Sequence, residues 1–275
     1  MPKKKFFFEL LPPINEMVLD VIALAANKMN WLLFLGRLRG DFRDRKKEGI
    51  IPAPAEKDMI KLVAENFHRQ NKKVVVILNI GNVIETASWS NQVDGIILAW
   101  QGGQEGGNAV ADVITGKVNP SGKLPTTFPI DYHDIPSSKN FPVETFRGRR
   151  KLEWVGLSGT PSEVIYEEDI YIGYRFFDTF KVKDSLSFRL WASSTSFQID
   201  QLSADTKQLN DKLLVRVRVT DTGKSSGKEV VQLYLTAPKG SINKPAQELK
   251  GFARAHLSEP KPGKVMLEMT VPVKT

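Results

Sequence analysis

The rhythm of apolar and polar positions changes partway along the chain. In the first half, KKVVVILNI (72–80) is an unbroken, mostly β-branched run that closes on Gly81, the pattern of a parallel strand buried on both faces. VDGIILAW (93–100) predicts a second buried strand, and WLLFLG (31–36) an earlier one. Just ahead of the run at 72–80, AEKDMIKLVAENFHRQN carries apolar residues at 59, 60, 63, 64 and 67, the spacing of an amphipathic helix. IETASWSN predicts a short helix between the two buried strands, NAVADVITG another that closes at Gly116, and KLPTTFP a last short strand. The β-α-β-α-β-α-β order that results is that of a partial open α/β sandwich, a mostly parallel sheet joined by right-handed crossovers.

The second half is different in kind. Residues 129–165 hold prolines, serines and the basic string RGRRK, which predicts a linker or a long surface excursion. KLLVRVRVTDTG then alternates apolar and polar residues, turns at DTGKSSGK and continues in EVVQLYLTAP, and KVMLEMTVPV alternates again near the end. Strand patterns with no helix between them predict an antiparallel β-sandwich of the immunoglobulin or fibronectin III type. The division expected is an α/β sandwich domain over 1–128 that is incomplete at its start, a linker and interdomain segment over 129–196, and a fibronectin III-like domain over 197–275. The last is expected to be truncated, leaving an exposed strand edge.

Composition narrows the chemistry. The chain has 275 residues, 41% of them hydrophobic, enough to build a proper core. It has no cysteine, and His68, His133 and His256 are scattered, so neither a disulfide framework nor a metal site is expected. The opening MPKKKFFFELLPP is interrupted by Glu9 and stopped by prolines before it reaches signal-peptide length. No run approaches the roughly 18 to 20 apolar residues of a membrane span, so no membrane partner is expected, and localisation stays unknown. A net charge of +8 raises a polyanion partner, but the basic clusters Lys3–Lys5, Arg37–Lys47 and Arg147–Lys151 have no interleaved aromatic residues. A solvated basic surface, with no nucleic acid, is the reading preferred.

In open α/β sheets, functional groups collect in the loops at the carboxyl ends of the strands. Those loops are RLRGDFRDR, GNVIE and QGGQEGG. Gly102, Gly103, Gly106 and Gly107 fit neither a dinucleotide fingerprint nor a Walker A loop, and a tight structural turn is their simpler role. In LGRLRGDFRDR four arginines crowd around Asp41 and Asp44; on the residues alone, the two carboxylates neutralise their neighbours. Trp89 and Trp100 are expected in the core. Glu85 and Glu105 are expected to cap or orient loops, and Glu167, Glu168 and Asp169 to make interdomain or surface polar contacts.

Long strings then carry a resemblance. KKVVVILNIGNVIETASWSNQVDGIILAWQGGQEGGNAVADVITGKVNPSGKLPTTFP, followed by VIYEEDIYIGYRFFDTF and GKEVVQLYLTAPKGSINKPAQELKGF, resembles the C-terminal half of family 3 glycoside hydrolases of the bacterial β-glucosidase type. The similarity covers roughly residues 31 to 275. The resemblance implies hydrolysis of terminal β-linked sugars, with retention and without a cofactor, on an oligosaccharide or β-glucoside substrate. In that family the general acid/base is a glutamate in a loop reading R-x-S-G-E-(G/F)-x-D-R. Arg37 to Arg45 align with that loop and place Asp41 at the acid/base position, with Arg37, Asp44 and Arg45 as substrate-binding candidates. The family's nucleophile sits in a barrel domain that this sequence does not supply, so the resemblance implies a missing barrel domain as partner and no activity of the chain alone. The alternatives are a non-catalytic carbohydrate-binding or scaffolding module and, more weakly, a polyanion-binding protein. Where the family has (Y/F)PFGYGLSYT, this chain has LSFRLWASST at 186–195. Codons for Leu186 to Ala192 read one base later give the family string, which implies a local frame slip.

Overall fold

The computed structural model of the chain describes residues 31–37, 47–141, 144–145, 152–154, 157–159, 162–188, 195–205, 212–223, 225–238, 240–257 and 263–272. The chain divides into two compact units, Met1–Gly103 and Gln104–Thr275.

In the first unit, strands β1 (Trp31–Arg37), β2 (Val74–Ile80) and β3 (Gly95–Leu98) form a parallel sheet in the order β1-β2-β3. β1 pairs with β2 from Trp31↔Val74 to Arg37↔Ile80, and β2 with β3 from Val75↔Gly95 to Leu78↔Leu98. The central strand is buried on both faces, since Val76, Ile77 and Leu78 are all fully covered, as the unbroken apolar run predicts. Helix α1 (Pro54–His68) begins with proline at its first turn, where the missing N–H costs nothing, and Glu56 reaches back to accept from the Ala53 N–H at 2.7 Å. It buries Met59, Ile60, Val63, Ala64 and Phe67, the predicted stripe, in a core shared with Leu35, Ile80, Ile84 and Trp89. The chain then reverses through Asn71, which takes the left-handed conformation at φ 54° that asparagine tolerates better than most residues.

Two predicted elements differ. IETASWSN forms no α-helix; the segment holds only a 3₁₀ turn at Ser90–Gln92. Trp89 is wholly buried and its Nε1 donates to the Glu85 carbonyl at 2.9 Å, while Thr86 is buried too, so the segment folds its side chains inward as a wrapped loop. KLPTTFP yields strand β4 (Phe128–Pro129), which lies outside the parallel sheet, because Pro129 has no N–H to donate to a ladder.

At the amino edge of the sheet the Asp94 carboxylate gathers three partners. It accepts from the Val74 N–H at 2.8 Å and from Lys73 Nζ at 2.7 Å, and it meets His68 Nε2 at 2.9 Å. One side chain thus ties the end of α1 and the start of β2 to the residue before β3. The Lys73 hydrogen bond first, then those from Val74 and His68, hold the Asp94 carboxyl well below the usual carboxylate range.

In the second unit, helix α2 (Gly106–Ile114) ends through Thr115 and Gly116, whose φ of 74° is the left-handed helix stop the sequence predicts. Across 129–165 the described residues form two 3₁₀ turns, Tyr132–Asp134 and Pro136–Lys139, and short strands β5 (Glu144–Thr145), β6 (Leu152–Trp154), β7 (Leu157–Gly159) and β8 (Ser162–Glu163), paired β5-β8 and β6-β7. Helix α3 (Tyr174–Phe180) follows, and β9 (Asp184–Leu186) pairs with β4 in antiparallel fashion.

The sandwich is built from β10 (Phe197–Asp205), β11 (Lys212–Asp221), β12 (Gly227–Leu235), β13 (Glu248–Leu257) and β14 (Lys264–Pro272). Antiparallel sheets β10-β11-β14 and β12-β13 enclose Val217, Val219, Val231, Ala255, Leu257 and Met269. Alternation sends Arg216 and Arg218 outward, where they pair across strands with Glu268 and Asp200. One inward position breaks the pattern: Glu229 on β12 is 2% exposed. Lys123 Nζ approaches its Oε1 to 2.8 Å, so a lysine from outside the strands neutralises a carboxylate inside the sandwich.

These two carboxylates yield two expectations. Asp94→Asn keeps an acceptor for the Val74 N–H but loses the ion pairs, and should lower stability at neutral pH by about 1 kcal/mol in chemical denaturation. Because the folded-state pKa of Asp94 is depressed, the native chain's margin over Asp94→Asn should be full above about pH 4, the unfolded-state value, and shrink as pH falls below it. For the sandwich, Lys123→Met strands a buried charge and should cost roughly 3 kcal/mol, whereas the double variant Lys123→Met/Glu229→Leu should recover most of that loss, as read from urea midpoints.

Candidate active site

The parallel order of β1, β2 and β3 places their carboxyl ends, Arg37, Ile80 and Leu98, along one edge. Three segments leave from it: 38–46 after β1, Gly81–Thr86 after β2, and Ala99–Gly103 after β3. Of the predicted site residues, Arg37 is placed by its backbone as the last residue of β1, in register with Ile80. Asp41, Asp44 and Arg45 lie outside the described residues, as do the basic clusters at Lys3–Lys5 and Arg147–Lys151.

The described residues on either side of 38–46 are fastened to the same neighbour. The entry to this span is the β1–β2 pairing that ends at Arg37↔Ile80. Its exit is the turn Lys47–Gly49, where the Ile50 N–H donates to the Lys47 carbonyl at 3.0 Å. The Ile50 carbonyl then accepts from the Glu85 N–H at 2.9 Å. The exit of β2 therefore holds the chain at Arg37 and again at Ile50, on either side of residues 38–46. Glu85 is itself oriented locally: its carboxylate accepts from the Ser88 N–H at 2.6 Å and the Ser88 hydroxyl at 2.7 Å, and Lys57 Nζ stands 3.6 Å from Oε2. The loop-orienting role the sequence predicts for Glu85 matches these contacts.

The third segment closes on the second. The Ala99 N–H donates to the Leu78 carbonyl at 2.9 Å, extending the β2–β3 ladder by one residue. Trp100 then adopts φ 51°, a left-handed backbone that a bulky residue takes only at a cost of about 1 to 3 kcal/mol, while its ring packs against the core as expected. Gln101 lies directly over Gly81: a Cβ at Gly81 would stand 2.7 Å from Gln101 Nε2. A side chain at 81 would therefore have to displace the end of the Gln101 side chain. The sequence marked Gly81 only as the end of a strand and gave no sign of Gln101, because the pairing joins residues 20 apart in sequence and no periodicity reports it. Gly103, Gly106 and Gly107 are different, with ordinary φ and open space where a Cβ would stand, so a tight turn does not explain them among the described residues. Glu105 sits at the N-terminal cap of α2 and accepts from Asn108 Nδ2.

Among the described residues no group of three or more His, Asp or Glu side chains stands close enough to hold a metal ion. No described helix is long and apolar enough to cross a membrane.

Residues 15–174 match the glycosyl hydrolase family 3 C-terminal domain, and residues 229–273 match the fibronectin type III-like domain. Beta-glucosidase A of Butyrivibrio fibrisolvens is 38% identical over 225 residues, covering 75% of this chain and 25% of that protein. A beta-glucosidase of Ruminococcus albus is 34% identical over 253 residues, covering 90% of this chain and 24% of its own length. The structure of beta-glucosidase 3B from Thermotoga neapolitana in complex with glucose superposes with a TM-score of 0.84 at 41% identity, over 98% of this chain and 36% of that one. The chain thus spans about a quarter of the length of these two curated relatives. With more than half of its residues inside the matched domain, the chain belongs to glycosyl hydrolase family 3.

Proposed function

We propose that the chain supplies the acid/base half of a β-glucosidase that hydrolyses terminal β-linked sugars with retention, and that Asp41 is the proton donor. The observation that supports this reading is the fastening of the chain on both sides of residues 38–46, at Arg37↔Ile80 and at Ile50···Glu85, on the carboxyl edge of a parallel sheet. Retaining hydrolysis needs two carboxyl groups about 5 to 5.5 Å apart across the scissile bond, one attacking and one shuttling the proton. In this reading Asp41 protonates the departing glycosidic oxygen and then deprotonates the water that releases the sugar. The nucleophilic aspartate comes from a barrel domain outside these 275 residues, and that domain is the partner the site requires. Arg37, Asp44 and Arg45 flank the donor as substrate contacts. The β-glucosidase names of the relatives support a β-glucoside substrate.

The proposed division keeps an α/β domain over 1–128, an interdomain segment over 129–196 and a sandwich over 197–275. The match at 229–273 supports the third part, and the match at 15–174 joins the first to most of the second.

Aspartate is one methylene shorter than the family's glutamate, and a misplacement of order 1 Å costs on the order of a hundredfold in rate. With the nucleophile supplied from outside these 275 residues, the chain alone should show no turnover of an aryl β-glucoside. To test the donor, the part of the Thermotoga neapolitana enzyme that this chain does not match is fused ahead of Met1, and LSFRLWA at 186–192 is rewritten as YPFGYGL. That rewriting keeps Phe188, whose ring stacks on Tyr174 with centroids 4.6 Å apart. In the fusion, Asp41→Glu should raise cellobiose hydrolysis by about a hundredfold and affect a nitrophenyl glucoside less, since a good leaving group needs little acid assistance. Equal rates on both substrates for Asp41, Asp41→Glu and Asp41→Ala would remove Asp41 from the mechanism.

A further inference from the structure

The segment that leads into α3 carries an unusual density of exposed apolar side chains. Ile165 is 60% exposed, Tyr166 77%, Ile170 41% and Ile172 59%. Phe180, at the far end of α3, is 54% exposed and meets Tyr171 edge-on with ring centroids 5.1 Å apart, so helix and strip form one surface. Isolated exposed apolar residues are ordinary, whereas several close together in one short segment are a candidate interaction surface.

The strip is held in shape from behind. Asn140 Nδ2 donates to the Ile165 carbonyl at 2.9 Å, and the Tyr171 N–H donates to the Glu168 carbonyl at 2.8 Å across a turn in which Asp169 has φ 46°. The chain enters α3 through Gly173 at φ 56°, a conformation that favours glycine. On its other side α3 is stapled to the approach to β13: the Leu249 N–H donates to the Tyr174 hydroxyl, the Ala246 N–H to Thr179 Oγ1, and Gln247 Nε2 to Asp178 Oδ2, at 2.7, 2.9 and 2.7 Å. A surface fixed in this way is ordered before it meets a partner, which lowers the entropic cost of binding. Its apolar residues are interrupted by exposed Glu167 and Asp169, a rim suited to a partner with basic residues around an apolar patch.

We propose that this strip, Ile165 to Ile172 with Phe180, is the seat on which the remaining polypeptide of a family 3 β-glucosidase packs. This inference rests on the reading of the chain as the acid/base half of such an enzyme, and it adds where the other half attaches. The Thermotoga neapolitana structure matches 98% of this chain yet only 36% of its own length is used, so almost two thirds of that protein is further folded polypeptide that needs surface to pack against. Tyrosine and isoleucine side chains on a preformed support are suited to such an interface, with Tyr166 as the natural anchor.

The probe is the unmatched portion of the Thermotoga neapolitana enzyme, prepared as a separate polypeptide and titrated with this chain by calorimetry. The expected result is binding that the triple variant Ile165→Ser/Tyr166→Ser/Ile172→Ser weakens roughly tenfold or more, with the melting temperature of the chain unchanged. In parallel, backbone amides of 165–172 should gain hydrogen-exchange protection when the same portion is fused ahead of Met1. Equal binding by native chain and variant overturns the proposal. Absence of added protection in the fusion overturns it too, and that measurement decides even if the separate polypeptide does not fold. If the chain instead self-associates through these residues and the fusion leaves them unprotected, a second copy is the occupant and the proposal is wrong. A fusion that protects the strip but hydrolyses nothing leaves the surface assignment standing and removes the catalytic reading.

Discussion

Backbone hydrogen bonding between β1, β2 and β3 runs in one direction, and that constraint organises the first unit. Parallel pairing delivers Arg37, Ile80 and Leu98 to a common edge, so segments far apart in sequence become neighbours without needing contacts of their own. The buried run Val74–Ile80 is what enforces the register. Val74, Val76, Leu78 and Ile80, alternate residues on one face of the strand, share a core with α1 and with Ile84 and Trp89, and a one-residue slip would carry all four to the other face.

The two edges of this sheet carry different duties. At the amino edge Asp94 draws Val74, Lys73 and His68 together in one polar knot. At the carboxyl edge Trp100 holds a left-handed backbone and the end of the Gln101 side chain lies against Gly81. Strain of that kind persists only where the surroundings hold it, and the ladder from Leu78 to Ala99 does so here.

Sequence pattern reports these features unevenly. The α1 stripe and the β2 run were legible because burial there follows the element's own period, 3.6 or 2. IETASWSN misled because its apolar spacing matches a helix, while the tertiary core claims Trp89 and Thr86 and leaves the backbone to wrap around them. KLPTTFP has the composition of a strand but ends in a proline that cannot join a central ladder. Glu229 stands at an inward position of β12, yet nothing in EVVQLYL announces that its partner is Lys123, more than a hundred residues earlier. The same holds for the candidate site. Its edge follows from strand order, whereas the role proposed for Asp41 rests on resemblance alone, since a short run of arginines and aspartates has no period to read.

The Lys123–Glu229 pair has a consequence for modularity. Fibronectin-like sandwiches are often treated as cassettes that can be excised at a strand boundary and moved between proteins. Here a cut just before β10 would remove the cation that compensates a carboxylate in the sandwich interior, and the liberated cassette would inherit a charge with no counter-ion. Asn119, whose side chain donates to the Ser226 carbonyl at 3.3 Å, would leave with it. The sandwich is therefore bound by electrostatics to a stretch of chain beyond its own strands, and any rearrangement that transplants it must carry residues 119–123 along or rewrite position 229.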